Sequence, residues 1–260
     1  MAQNPLRHKL KQGKQTFGMW VTMESPSITE IAIALDLDWV CIDMEHGHLD
    51  YKEVMEHVRA VRNSNTSILV RVPEISNSSI KRVLDLGAHG VLLPLVRNAE
   101  ELQTGFDYAR YPDTGIRGIG GERSVKWGLG LNDYLKYANE ETLVIPLIET
   151  KEAAEQIDSI LDVPGLEVIF FGPADLSASY GYLGQWEGPN IAQQILDIKS
   201  KADKRGIASG IMGTGVDDSI QRMRQKFGMV GLGSDAGLLI RSTVQNMEKL
   251  GLDRPLHLWF

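Results

Sequence analysis

Residues 143–175 read LVIPLIETKEAAEQIDSILDVPGLEVIFFGPAD. The run from Leu143 to Ile148 is apolar throughout, and so, nearly, is the run from Leu166 to Phe171. Strands this rich in Val, Ile, Leu and Phe are expected where both faces are buried, as in a parallel sheet covered by helices. Between them, Thr150 stands where a helix N-cap would, and Lys151 to Leu161 has a helical pattern. Strand, capped helix, strand is the repeating element of α/β architecture.

The same rhythm extends outward in both directions. Strands are predicted at 16–22, 39–43, 67–72, 90–95, 143–148, 166–171, 207–212 and 229–233. Helical patterns lie at 27–34, 51–62, 77–86, 151–161, 190–205 and 216–227. The first opens on Ser-Pro-Ser, the second has Val54, Met55, Val58 and Val61 as its apolar positions, and the third follows an Asn cap. Eight strands alternating with helices, in a chain of 260 residues, predict one (β/α)₈ TIM barrel spanning 1–260. A doubly wound open sheet is the competing arrangement, but it usually needs fewer strands and a switch point.

Composition narrows the function classes. Hydrophobic residues make up 43% and charged residues 23%, enough apolar material for a sizeable core without disulfides. A net charge of −7 argues against nucleic acid as a partner, which needs a basic face. It leaves an anionic small molecule open, because a metal or an Arg can reverse the field inside a cleft. Cys41 is the one cysteine and lies in an apolar run, fitting a reducing compartment and a packing role. The basic N-terminal stretch has no apolar segment behind it, and no apolar run approaches a membrane span. The expectation is a cytoplasmic protein without a membrane partner.

In such a barrel the chemistry sits where strands end. Strand two ends in Asp43-Met44-Glu45-His46-Gly47-His48, strand three in Arg71, strand five in Glu149-Thr150, strand six in Gly172-Pro173-Ala174-Asp175, and strand eight in Ser234-Asp235. Glu149 and Asp175 suit a hard divalent cation, with water and substrate oxygens completing the shell. Each alone reads equally well as a helix cap; the two at neighbouring strand ends favour a metal. His46 is the candidate general base, with Asp43 near enough to orient its ring. A zinc pair of His46 and His48 ranks lower, since no third soft ligand has a defined place. Arg71 can clamp a carboxylate or an enolate oxygen, or pair with an acid across the barrel. No predicted strand contains a lysine, which weakens a Schiff-base mechanism. The Gly-rich segment 111–133 reads as a long loop, a lid or an interface.

Several motifs together resemble one family: residues 38–47 (DWVCIDMEHG), Leu69 to Pro73, Leu84 to Ala88, Tyr111-Pro112 with Arg117-Gly118, Ile148 to Thr150, and Phe171 to Ser177. The chain is similar to class II, metal-dependent 2-keto-acid aldolases of the HpcH/HpaI type, over most of its length. The resemblance implies a barrel of the phosphoenolpyruvate/pyruvate type, with a last helix swapped between subunits and a homo-oligomer, commonly a hexamer. It implies Mg²⁺, Mn²⁺ or Co²⁺ on Glu149 and Asp175, and Arg71 on the keto oxygen. His46 with Asp43 would move protons, supported by Asp85, which the pattern alone reads as an exposed helix residue. The turn Gly172, Pro173, Ala174 would receive the pyruvate carboxylate, with Trp20 and Met212 lining the pocket.

The implied reaction is reversible aldol cleavage of a 4-hydroxy-2-keto acid to pyruvate and an aldehyde. A branch of similar proteins instead condenses oxaloacetate with acetyl-CoA to citrate for siderophore synthesis, and that reaction is the alternative. Two positions depart from the pattern: Leu147 stands where many relatives carry Gln, and Tyr111-Pro112-Asp113 replaces Tyr-Pro-Pro.

Overall fold

Strands β1 (Thr16–Val21), β2 (Trp39–Asp43), β3 (Ser67–Arg71), β4 (Gly90–Leu93), β5 (Leu143–Ile148), β6 (Val168–Phe171), β7 (Ala208–Met212) and β8 (Met229–Ser234) pair in sequence order. All neighbours are parallel, and β8 returns to β1 to close the barrel. The computed structural model describes residues 4–252. Helix α1 (Pro5–Lys11) precedes β1. Around the strands lie α2 (Ser27–Ala34), α3 (Tyr51–Ala60), α4 (Asn77–Leu86) and α5 (Ala99–Ala109). The long excursion that follows carries α6 (Leu131–Leu135) and α7 (Ala138–Glu141). The ring continues with α8 (Lys151–Glu155), α9 (Ile157–Leu161), α10 (Pro173–Ser179), α11 (Ile191–Lys204), α12 (Val216–Arg224) and α13 (Asp235–Lys249).

The expected eight strands are all present, with ends shifted by one or two residues. The single helix expected at 151–161 is two, broken at Gln156. Thr150 does cap the first, its hydroxyl accepting from the Ala153 N–H at 3.1 Å.

Strand alternation sorts the core into two shells. Trp39, Cys41, Leu69, Leu92, Leu143, Ile145, Leu147, Val168 and Phe170 face the barrel axis. Val40, Ile42, Val70, Val91, Val144, Ile148, Ile169 and Phe171 face the helices. The same period carries polar residues inward at the upper ends of strands. Asp43 follows Trp39 and Cys41 at two-residue steps, Arg71 follows Leu69, and Glu149 follows Leu147.

Large and small residues share the interior. Trp20, Trp39 and Phe170 meet with ring centroids 5.2–6.2 Å apart. Gly18 makes room for this group: a Cβ there would lie 2.1 Å from the Trp39 ring and 2.3 Å from the Trp39 carbonyl oxygen. A backbone oxygen in a closed sheet cannot move aside cheaply. Gly18→Ala is therefore expected to lose ~1–3 kcal/mol of stability, read as a lower denaturant midpoint at unchanged slope.

The lower end is stoppered by α1, which the sequence reading did not foresee. Leu6 is fully buried among the interior side chains. The Asn4 amide donates to the carbonyls of His89 and Glu141, and the Ser67 hydroxyl donates to Asn4 Oδ1. Arg7 bridges Glu141 and Glu167 at 3.1 and 2.8 Å.

Candidate active site

At the upper, C-terminal ends of the strands lies a cavity of about 320 Å³. Asp43, His46, Arg71, Glu149, Asp175, Gly172, Pro173, Ala174, Trp20 and Met212 all line it, so ten of the eleven site residues expected from sequence share one chamber. The eleventh, Asp85, does not line the cavity of its own chain. It sits on α4 and accepts from Arg117 Nη2 at 2.7 Å, tying the long excursion to the barrel. Arg117 is itself buried, with its guanidinium 4.6 Å from the Tyr111 ring centre.

Asp43 and Arg71 form the rigid part of the site. Partners in the β2–β3 register, they join through two bonds, from Arg71 Nε (2.9 Å) and Nη2 (2.5 Å) to the two carboxylate oxygens. Arg71 Nη1 reaches Glu45 Oε2 at 2.9 Å. Burial works against the guanidinium charge, but Asp43 and then Glu45 more than offset it, and the Arg71 pKa is raised. Trp20 backs the group, 5.6 Å from ring centre to guanidinium carbon.

The His46 ring is placed differently from the expectation. Asp43 accepts from the backbone N–H of Glu45 and His46, at 3.0 and 3.2 Å, so it shapes the turn without touching the imidazole. Strand pairing has already committed the carboxylate to Arg71. The ring is 69% exposed at the cavity mouth, with Glu45 Oε2 4.0 Å from Nε2.

Glu149 is buried as well, 3% exposed. Its Oε1 accepts from the Leu95 N–H at 2.6 Å. Leu95 holds that N–H in place from a left-handed backbone conformation, φ 52°, which a branched residue adopts only at a cost. Gly172 packs against the other oxygen: a Cβ there would lie 2.6 Å from Oε2. Burial, together with the charge of Asp175, pushes the Glu149 carboxyl up to about 7, against the Leu95 bond and the more distant Arg71. Burial likewise raises Glu45, against Arg71 and His46.

Charge thus divides unevenly. Asp43 and Glu45 engage Arg71, and among the described residues lining the cavity no other Lys or Arg is left for Glu149 and Asp175. That is the donor chemistry of a divalent-cation site. Among the described residues no three His, Cys, Asp or Glu side chains converge as a full metal cage. A cation here would take two protein carboxylates and complete its shell with water and substrate.

Six further residues line the cavity that the sequence reading did not assign to it: Thr22, Leu147, Phe170, Phe171, Trp186 and Ser234. Period-two counting back from Glu149 places Leu147 there. Trp186 gave no such signal, because it arrives on the loop between α10 and α11. That loop is held by Ser177, whose hydroxyl donates to the Trp186 carbonyl, and by Glu187, which pairs with the buried Arg222 at 2.8 Å.

A closed parallel barrel with an acidic chamber at its C-terminal mouth defines the class: a (β/α)₈ enzyme. The chain belongs to the HpcH/HpaI aldolase/citrate lyase family, whose sequence pattern matches residues 16–242, and is a carbon–carbon lyase of the aldolase type. It is 32% identical over 254 residues to a hydroxypyruvate/pyruvate aldolase of Paraburkholderia phytofirmans, covering 95% of this chain and 97% of the other. It is 32% identical over 257 residues to a 4-hydroxy-2-oxo-heptane-1,7-dioate aldolase of Salmonella newport, covering 97% of each. Among solved structures, the citrate synthase SbnG superposes with a TM-score of 0.83 at 27% identity, over 95% of this chain and 99% of that one. Among the described residues no helix is long and apolar enough to cross a membrane.

Proposed function

We propose that this chain reversibly cleaves a 4-hydroxy-2-keto acid to pyruvate and an aldehyde, with a divalent cation on Glu149 and Asp175. The observation that carries the reading is the uncompensated carboxylate pair beside an Arg already fixed by Asp43. Mg²⁺, Mn²⁺ or Co²⁺, when bound, supplies Lewis-acid stabilisation of the enolate that cleavage generates. Arg71 adds fixed positive charge on the same oxygen, and Asp43 removes the entropy of aiming it. His46, at the mouth beside Glu45, takes the proton from the C4 hydroxyl as the C3–C4 bond breaks, and a proton returned to C3 from His46 or solvent converts the enolate to pyruvate; addition runs these steps in reverse. The backbone N–H of Ala174 receives the keto-acid carboxylate, since Pro173 has no N–H and the Gly172 N–H donates to the Ile148 carbonyl. Trp20 and Met212 give the keto acid apolar contact on the cavity wall.

The proposed assembly is a homo-oligomer in which α13 reaches a neighbouring subunit. In support, Leu239 and Ile240 on that helix are 61% and 45% exposed within one chain.

Deuterium exchange at C3 of pyruvate, followed by proton NMR, tests the enolate step without any aldehyde. Exchange is expected with Mg²⁺, Mn²⁺ or Co²⁺ and should vanish on EDTA treatment. Metal-independent exchange, or a borohydride-trapped pyruvate adduct, would replace this mechanism with a Schiff base. Absence of exchange, with thiol release from acetyl-CoA and oxaloacetate, would replace it with citrate formation.

A further inference from the structure

Arg222 is a buried cation that does not reach the cavity. It lies on α12, 2% exposed, and is not among the lining residues. Its guanidinium holds two acids from different parts of the chain. Nη2 donates to Glu187 Oε1 at 2.8 Å, and Nε faces Asp218 Oδ1 in an ion pair at 2.9 Å. Both acids are shielded, their side chains 19% and 18% exposed, so water competes weakly for either pair.

Each acid stands next to a wall of the chamber. Glu187 directly follows Trp186, which lines it from the loop between α10 and α11. Asp218 Oδ2 accepts from the Thr214 N–H at 2.9 Å and from the Thr214 hydroxyl at 3.3 Å. Thr214 lies two residues beyond Met212, the lining residue that ends β7. Between them, Gly213 packs directly on α12: a Cβ there would lie 2.3 Å from Ser219 Oγ. The Met212 sulfur rests on Gly231 of β8, where a Cβ would come within 2.1 Å of it. The chain after β7 therefore has little room except where α12 puts it.

We propose that Arg222 is a positioning residue: one guanidinium behind the chamber fixes the Trp186 and Met212 walls against each other and so sets how tightly the substrate is held. The proposal rests on the aldolase reading above and concerns binding rather than bond cleavage. A planar guanidinium presents its donors at fixed angles and can register two loops at once, which the single ammonium of Lys cannot. Apolar walls act alike on bound substrate and transition state, so loosening them raises KM and spares kcat. Arg71 and Glu149 share no bond with this network and keep their places.

Pyruvate C3 exchange, followed over a range of pyruvate concentrations with Mg²⁺ present, tests this on wild type, Arg222→Met and Arg222→Lys. Arg222→Met is expected to raise KM on the order of fivefold, the scale of one lost apolar contact. Its kcat should stay within about twofold. Arg222→Lys, able to meet one acid, should fall between. Glu187→Gln and Asp218→Asn should each raise KM in the wild type and add little in the Arg222→Met background, as members of one network do. These two variants and Arg222→Lys carry the test if Arg222→Met does not fold. A strut that serves stability alone would lower the denaturant midpoint and leave KM of the folded protein unmoved. That result overturns the proposal, as does additivity of the acid variants with Arg222→Met. Exchange by the wild type with KM unmoved in every variant removes the role of Arg222 alone, whereas no exchange by the wild type removes the aldolase reading and this role with it.

Discussion

Glu149→Gln is expected to stop pyruvate exchange while making the metal-free chain more stable at pH 8. Gln keeps an oxygen for the Leu95 N–H, so the local backbone has no reason to move. What disappears is a charge that burial and Asp175 both oppose. The carboxyl has a folded pKa of about 7 against an ordinary 4.5. The sign follows from proton binding: between those values the folded chain holds the proton and the unfolded chain does not. Stability from this group is fully present below pH 4.5 and is lost as pH rises toward 7. The loss by pH 8 is roughly 3 kcal/mol. Thermal melts of metal-free protein at pH 5 and pH 8 should show this slope in the wild type and not in the variant. A divalent cation should restore wild-type stability at pH 8 and leave the variant nearly unmoved. The exchange rate should drop on the order of 10²–10³-fold. A variant that keeps full cation stabilisation would place the metal elsewhere.

Arg71→Leu is expected to damage folding and chemistry together. Asp43 is 1% exposed and loses two of its four hydrogen bonds, and Glu45 loses its nearest cation. Removing one partner from a buried pair typically costs about 3–5 kcal/mol, most of it from the charge left behind. Arg71→Lys restores the charge but not the two-pronged geometry. It should recover much of the denaturant midpoint and little of the exchange rate. If Lys recovered both equally, Arg71 would be acting through charge alone.

The barrel was readable because its strands are buried on both faces, which leaves continuous apolar runs, and because β2, β3 and β8 end in a polar residue and β5 runs straight into Glu149. Position along a strand then also told which way Arg71 and Glu149 point. Features made by distant pairing were hidden. Helix α1 is short and mostly polar, and its role depends on contacts such as Asn4 with Ser67, 63 residues away. The Asp43–His46 relation was misjudged because three residues of spacing looked like proximity, whereas strand pairing gave the carboxylate to Arg71. Asp85 carries no local sign of its partner, since Arg117 reaches it from a loop 32 residues on. Trp186 likewise enters from a connection whose course depends on Arg222.

The stopper formed by α1 bears on traffic. A barrel sealed below and filled by Trp39 and Phe170 is a vessel with a single opening. Under the proposed reaction, both cleavage products leave by the door through which the substrate came. Pyruvate, held at Arg71 and at the cation on Glu149 and Asp175, is the inner passenger and the aldehyde the outer one. Departure is then ordered, aldehyde first, and pyruvate should act as a competitive product inhibitor while the aldehyde should not.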